Sequence, residues 1–161
     1  MVQIDAIDRA ILLELQQESR LSYAEIGARV GLSPAAVHDR VKKLERKGVI
    51  QAYRIRVSPE ALGLKLTAFV SIRLENNSSC RAVLPALEQF PEVEEVHSVA
   101  GEVDVLLKVR TTDPKTLEDL IYRIKSVEGV SRTTSSVVLS TAVEGRPLVP
   151  VEAEEEAVRA R

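Results

Sequence analysis

The chain has 161 residues, of which 45% are hydrophobic and 29% charged, and its formal net charge is −2. This composition is typical of a soluble globular protein with one ordinary domain or two small ones. No apolar run reaches the roughly 18 residues that a membrane-spanning helix needs. The single cysteine, Cys80, excludes an internal disulfide and predicts a reducing cytoplasm. The only histidines are His38 and His97, so no zinc-type cluster is predicted and no metal or other cofactor is expected.

Three helices are predicted in the first fifty residues. Residues 5–19 have apolar side chains at helical spacing, and "SYAE" (22–25) has the form of a capping box that opens a second helix. Ser33 caps a third helix, 33–47, which carries one buried stripe of valines and a leucine. Only "GLS" separates the last two helices, and so short a turn forces the steep crossing of a helix-turn-helix. Gly27 favours this arrangement because a small residue lets the two helices approach closely.

Positive charge is concentrated in the third helix. Residues 33–48 hold five basic and two acidic residues, whereas residues 61–161 hold 12 basic and 16 acidic ones. Small residues at the start of this helix allow close approach to a groove, and bases further along reach phosphates, so the pattern predicts a helix that lies in the major groove of DNA. The predicted DNA-binding residues are Ser33, Ala35, Ala36, His38, Asp39, Arg40, Lys42, Lys43 and Arg46.

Several of these residues have alternative interpretations. The whole cluster is also compatible with a solvated charged face, and Arg40 is the member that best suits an internal ion pair. Asp39 is suited either to accept from cytosine N4 or to pair with Lys43 four residues on, and the pairing is favoured. His38 fits equally well a base or phosphate contact and an ordinary exposed position.

The remainder of the chain alternates strands and helices. "IQAYRIRVS" (50–58) alternates apolar and polar residues and predicts a strand, followed by a turn at 59–63. Strands at 66–75, 93–99, 103–111 and 130–141 and helices at 79–90 and 113–127 then follow in the order β-α-β-β-α-β, which describes a ferredoxin-like sandwich. Its open sheet face keeps apolar residues, among them Leu106, and this indicates a dimer interface. Cys80 is interpreted as structural, and His97 as an interface residue.

Four blocks in this order resemble the Lrp/AsnC family, the leucine-responsive or feast/famine transcription factors. They are "IDAIDRAILLELQQESRLSYAEIGARVGLS", "VHDRVKKLERKGVIQAYRIRVSPEALG", "VAGEVDVLLKV" and "VEGVSRTTSSVVL". The resemblance implies an α+β protein with an N-terminal, winged-helix-like helix-turn-helix domain and a C-terminal ferredoxin-like sandwich that senses a ligand. It also implies homodimers paired through the C-terminal sheets, further assembly into tetramers or octamers, and an amino acid or related small metabolite as effector.

The resemblance implies site residues as well. Ser33, Arg40 and Lys43 match the family's recognition-helix pattern, and Gly101 and Asp104 match its glycine-x-x-aspartate turn. The predicted ligand-binding residues are Gly101, Glu102, Asp104, Thr133 and Ser135. The family often has aromatic residues around this aspartate, where the present chain has Val103 and Val105.

The predicted organisation is a DNA-binding domain at 1–50, a linker strand and turn at 51–63, a sensing and oligomerisation domain at 64–145 and a tail at 146–161. The predicted function is sequence-specific, double-stranded DNA binding by a cytoplasmic transcriptional regulator with no enzymatic activity and no membrane partner. The alternatives are a weakly specific, nucleoid-type DNA organiser and a small-molecule enzyme built on the sandwich. The sequence offers the enzyme hypothesis no nucleophile paired with a base and no clustered carboxylates.

Overall fold

A computed structural model describes residues 4–149 of the chain. These residues fall into two compact units. The helical unit consists of the residues up to 55 together with those from 143 onward, and the sheet unit consists of residues 56–142.

The helical unit contains α1 (Ala6–Gln17), α2 (Tyr23–Val30) and α3 (Pro34–Arg46). Each helix begins at a side chain that accepts a backbone N–H, namely Asp5, Ser22 and Ser33 in turn. The apolar stripes of the three helices meet in one core, whose buried members are Ile11, Leu15, Ile26, Val37 and Val41. The predicted helix-turn-helix is therefore confirmed, with its second helix being α3.

Gly27 lies where α2 and the turn before α3 come into closest contact. A Cβ atom added at this glycine would lie 2.4 Å from the carbonyl oxygen of Leu32, a backbone atom that cannot rotate away. The same two residues are joined by a hydrogen bond of 2.9 Å from the Leu32 amide to the Gly27 carbonyl oxygen. The approach of the two helices therefore depends on the absence of a side chain at this position.

The predicted strand at 50–58 is wrong. Residues 51–58 have no regular secondary structure, and a single 3₁₀ turn, Glu60–Leu62, follows them. Alternation of apolar and polar residues fits a strand only where a second segment supplies hydrogen bonds, and no described segment pairs with this one. Three apolar side chains consequently remain open to solvent, since Tyr53, Ile55 and Val57 are 51%, 87% and 45% exposed.

The sheet unit has the predicted β-α-β-β-α-β order and confirms the ferredoxin-like sandwich. Its elements are β1 (Leu66–Leu74), α4 (Cys80–Leu87), β2 (Val93–Ser98), β3 (Val105–Thr111), α5 (Pro114–Lys125) and β4 (Val130–Val137). The strands are arranged in the order β2-β3-β1-β4, and every neighbouring pair is antiparallel. Alternate residues of the central strands, such as Val70 and Leu107, pack with Leu120 of α5 in the core. The two helices therefore cover one face of the sheet, and the other face is open.

The chain returns to the helical unit after β4. Side-chain Nε2 of Gln16 donates to the Leu148 carbonyl oxygen at 3.0 Å, and the Leu148 amide donates to Gln16 Oε1 at 2.8 Å. The amide side chain thus pairs with the backbone as a neighbouring strand would. Of the predicted tail at 146–161, residues 150–161 lie outside the described part of the chain.

We predict that Gly27→Ala destabilises the helical unit. In an unhindered helix this change stabilises by about 1 kcal/mol, but the collision with the Leu32 carbonyl oxygen forces a backbone shift, for which overpacking costs of about 1–3 kcal/mol are typical. Urea denaturation followed by circular dichroism measures the difference. Ala28→Gly, at an exposed neighbouring position, is the control and should lose only the propensity difference. A Gly27→Ala protein more stable than the wild type would contradict the close approach.

Candidate nucleic-acid interface and effector turn

The predicted DNA-binding residues occupy the solvent-facing side of α3 and its cap. Most of them are exposed, whereas Ala36 and Arg40 are half-buried against the rest of the helical unit. Ser33 acts as the helix cap, because its Oγ accepts the Ala36 amide at 3.2 Å. The basic residues of α3 differ sharply in what their side chains contact.

Arg40 contacts α1 and its cap. Its Nη1 lies 2.6 Å from Asp5 Oδ2 and 2.7 Å from Asp8 Oδ1. Asp8 is only 4% exposed, so Arg40 is the cation that compensates for the burial of its side chain. The hydrogen bond from Arg40 holds the pKa of the Asp5 carboxyl below its ordinary value, and the two carboxylates raise the pKa of Arg40. Arg40 therefore ties α3 to α1.

Lys42 belongs to a second chain of contacts along α3. Its Nζ lies 2.8 Å from Glu45 Oε2, and the Tyr53 hydroxyl donates to Glu45 Oε1 at 3.0 Å. The hydrogen bond from Lys42 lowers the pKa of Glu45, while burial and the contact with Glu45 raise the pKa of Tyr53 to about 12. Tyr53 keeps its proton at physiological pH and can serve as a donor.

Asp39 pairs with a different residue from the one favoured by the sequence. Its Oδ1 lies 3.2 Å from His38 Nδ1, and the described residues contain no ion pair between Asp39 and Lys43. The His38 ring also meets Tyr23 edge-on, with ring centroids 5.5 Å apart. His38 is the immediate neighbour of Asp39 in the chain, and Lys43 is exposed to solvent.

Lys43 and Arg46 are the α3 cations without a carboxylate partner among residues 4–149. Both are exposed, and their spacing of three residues places them side by side on the helix. An exposed pair of unneutralised cations in the last turns of a helix-turn-helix recognition helix is suited to phosphate contacts.

Asp104 closes the turn between β2 and β3. Its carboxylate Oδ2 accepts the Leu74 amide at 2.8 Å, and its own amide donates to the Ile72 carbonyl oxygen at 2.9 Å. The side chain thereby extends the hydrogen-bond ladder of β1 and β3 beyond the last paired residues. Cys80 Sγ lies 3.6 Å from the Asp104 carbonyl oxygen, a contact in keeping with its structural interpretation.

The turn before Asp104 is open. Gly101 has a φ of +155°, and a Cβ added there would meet nothing within 4 Å. Within the described structure the backbone amides of residues 100–103 donate no hydrogen bond. Val105, one of the two valines that replace the family's aromatic residues, is fully buried in the core, so that position does not face this turn. Glu102 is exposed beside it.

Thr133 and Ser135 lie on β4 opposite Ile72 and Val70 of β1. Because β1 separates β4 from β3, two strand spacings, or about 10 Å, lie between these hydroxyls and the strand that Asp104 opens. One chain therefore does not bring all five predicted ligand-binding residues into a single pocket.

Sequence reasoning missed two features of the sheet unit. A cavity of about 470 Å³ is lined by Val57, Pro59, Leu62, Leu64, Pro91, Glu92, Glu94 and Arg110. None of the predicted ligand-binding residues lines it. The second feature is a pair of arginines on the open sheet face, Arg73 and Arg132, whose proximity depends on strand register. Neither feature has a signal in the spacing of residues along the chain.

Each of the two units matches a family of known proteins. The family model for a winged helix-turn-helix DNA-binding domain matches residues 4–51, and that for the Lrp/AsnC ligand binding domain matches residues 67–148. The transcriptional regulator LrpA of Mycobacterium tuberculosis is 41% identical over 147 residues, which are 91% of this chain and 97% of LrpA. The chain belongs to the Lrp/AsnC family of transcriptional regulators.

Solved structures of family members show the same fold. The feast or famine regulatory protein of M. tuberculosis complexed with L-methionine has a TM-score of 0.86 and 40% identity, covering 92% of this chain and all of that one. A transcriptional regulator from Neisseria meningitidis in complex with L-methionine has a TM-score of 0.85 and 32% identity, covering 91% of this chain and 96% of its own.

Residues 4–149 bring together no group of three or more potential metal ligands, and His97 Nε2 contacts Glu95 Oε2 at 3.1 Å. Within the same residues, no helix is long and apolar enough to cross a membrane.

We predict that Arg40→Gln destabilises the helical unit by about 2 kcal/mol at neutral pH, because it leaves the buried Asp8 carboxylate without its cation. The pKa of Asp5 is lower in the folded chain, so its share of the stabilisation is present above its ordinary value of 3.8 and is lost as the pH falls through the folded value. The stability difference between wild type and Arg40→Gln should therefore shrink below about pH 4.

Denaturant unfolding at a series of pH values tests this prediction. Lys43→Gln, which removes a cation without a carboxylate partner from the same helix, is the control and should change stability by less than about 0.5 kcal/mol. Equal stability of the two variants at neutral pH would refute the role of Arg40 in joining α3 to α1.

Proposed function

We propose that α3 enters the major groove of DNA and that Lys43 and Arg46 anchor it to the phosphate backbone. The observation that carries this proposal is the division of the basic residues of α3. Arg40 and Lys42 are neutralised by carboxylates of the same unit, while Lys43 and Arg46 keep exposed charges. A polyanion is the partner that best compensates such charges.

The other predicted residues take different parts in this contact. The small side chains of Ala35 and Ala36 let the start of α3 approach the base edges, and Ser33 keeps a hydroxyl proton for a phosphate. His38 and Asp39 are held together as one polar unit that can read a base edge. We assign Arg40 the task of orienting α3 and Lys42 a weaker contact at the edge of the interface.

We further propose that the chain works as a homodimer paired through the open sheet faces. This face contains Phe69, 39% exposed, and Leu106, and it contains Lys108, which is 7% exposed and lies 3.3 Å from both Glu94 and Glu95. A dimer would present two recognition helices to half-sites about 34–36 Å apart or a multiple of that distance. Larger assemblies, such as tetramers or octamers, would combine several such pairs.

The effector that we propose is an amino acid bound at the turn of residues 100–104. Two structurally similar family members are complexed with L-methionine, and the open amides of this turn are suited to a carboxylate. Binding between neighbouring sensor units would change how the dimers associate and hence how the recognition helices are spaced. Thr133 and Ser135 would then contribute from a neighbouring chain. Such coupling requires two assembly states with different affinities for the effector.

We place the protein in the cytoplasm, where it has access to chromosomal DNA, and we propose that it carries out no reaction and needs neither a metal nor another cofactor.

We predict that Lys43→Gln and Arg46→Gln each weaken DNA binding for all sequences and lower its salt dependence. Each phosphate contact contributes a slope of about 0.9 to the fall of log affinity with log salt concentration. Fluorescence anisotropy with a labelled operator fragment between about 50 and 200 mM salt measures the slope. Lys65→Gln, an exposed cation outside the helical unit, is the control. Unchanged slopes in both α3 variants would contradict the phosphate contacts.

A competition with random DNA separates a specific regulator from a weakly specific organiser of DNA. A sequence-specific regulator should prefer its operator by a factor of about 10³ or more over random sequence. An equal affinity for both would favour the organiser.

We predict that Asp104→Asn keeps the sheet unit folded but weakens amino-acid binding. The amide oxygen of asparagine can still accept the Leu74 hydrogen bond, whereas the negative charge that would face an ammonium group is gone. A thermal-shift series with L-methionine and the other amino acids measures binding, since a ligand at 100 times its dissociation constant stabilises the wild type by about 2.7 kcal/mol.

Asp104→Ala serves as the comparison in the same series. It also leaves the Leu74 amide without a partner, so it should lower the unfolding free energy by about 1–3 kcal/mol even without ligand. If Asp104→Asn binds the amino acid as tightly as the wild type, the carboxylate serves the fold alone.

A further inference from the structure

Two arginines face each other on the open side of the sheet. Arg73 of β1 is the cross-strand partner of Arg132 of β4. Directly opposed residues of antiparallel strands have Cβ atoms about 4.5–5.5 Å apart, and like charges in such pairs are destabilising. Both side chains are exposed, so the repulsion is reduced by water but is not offset by any protein carboxylate in residues 4–149.

Some arginines have carboxylate partners and others, such as Arg46 and Arg81, have none in the described structure, so Arg73 and Arg132 stand out because they oppose each other across two strands. Arg29 pairs with Glu14, Arg110 with Glu94 and Arg123 with Glu92. Glu75 follows the end of β1 two residues after Arg73, yet its carboxylate makes no ion pair with either arginine in the described structure. The sheet therefore holds two adjacent cations at one place without neutralising them.

Arg73 is hydrogen-bonded to the turn of residues 100–104, which we propose binds the effector. Its Nε donates to the Glu102 carbonyl oxygen at 3.1 Å, and its Nη2 contacts the same oxygen. The guanidinium is thus attached to the backbone of the turn whose amides at residues 100–103 are open, and Arg132 lies one strand away. The nearest acid of the turn that is tied into the fold, Asp104, directs Oδ2 to the Leu74 amide. The turn therefore offers guanidinium and backbone N–H donors, with the exposed Glu102 carboxylate as an acceptor beside them.

We infer that Arg73 and Arg132 form an anion subsite that binds the carboxylate of the effector. Paired guanidinium groups offer a carboxylate several parallel N–H donors, and a bound anion removes the repulsion between the two arginines. This end of the sheet would thus recognise the carboxylate of the amino acid. This inference rests on the proposed effector function, which it makes more specific.

Calorimetric titration of the full chain with two related ligands tests the inference. L-Methionine carries the carboxylate, and 3-(methylthio)propylamine is the same molecule without it. Wild type should bind L-methionine at least about tenfold more tightly than the amine, and Arg132→Gln should lose about tenfold in affinity for L-methionine but none for the amine. Lys65→Gln, which removes an exposed cation near the opposite end of β1, should bind both as wild type does.

Thermal unfolding without ligand supplies a second readout. Because Arg132 has no carboxylate partner in the described part of the chain and opposes another cation, Arg132→Gln should unfold at the same temperature as wild type or a higher one. A structural role for the arginine would lower that temperature. The inference thus predicts weaker ligand binding in a protein that is no less stable.

Four outcomes would overturn the inference. If Arg132→Gln binds L-methionine as tightly as the wild type, the anion subsite is wrong while the effector function stands. If it loses both ligands equally, the pair does not recognise the carboxylate. If it instead shifts the dimer toward monomer in size-exclusion chromatography without ligand, the arginines serve contact between chains. If the wild type binds none of the twenty amino acids, the effector proposal fails and this inference fails with it.

Discussion

The ion cluster of Arg40 with Asp5 and Asp8 is the interaction on which the helical unit depends. The two aspartates cap α1 reciprocally, since the Asp8 amide donates to Asp5 Oδ1 at 2.8 Å and the Asp5 amide to Asp8 Oδ2 at 3.3 Å. Arg40 then joins this cap to α3. One cluster therefore joins the beginning of α1 to the middle of α3.

In the sheet unit, the side chain of Asp104 has a comparable stabilising role. Its carboxylate continues the β1–β3 ladder at the point where the pairing of β1 with β4 shifts register, between Arg73 and Leu74. The aspartate of a glycine-x-x-aspartate turn thus stabilises the end of the sheet, whatever it contributes to a ligand. An acidic residue that a motif marks as functional can thus also be needed to stabilise the fold.

Periodicity along the chain was sufficient to predict both folds, because helix stripes and strand alternation reflect burial within a single element. It failed at 50–58, since alternation in that segment does not supply a pairing partner. It also left Arg40 ambiguous, because Asp8 is 32 positions away and only the packing of α3 on α1 brings the two together. Arg73 and Arg132 become neighbours through strand register alone, and spacing in sequence carries no information about that register.

In each unit, the cations that join elements of the fold are different residues from the cations that we propose to bind a partner. Cations with nearby carboxylates, such as Arg40, hold elements together, and partial burial limits their screening by salt. Among residues 4–149, Lys43 and Arg46 lack such partners, as do Arg73 and Arg132, and their exposed charges are screened over a Debye length of about 8 Å at physiological ionic strength. Rising salt should consequently weaken the proposed DNA and carboxylate contacts before it loosens the fold, because the proposed binding charges and the structural charges belong to different residues.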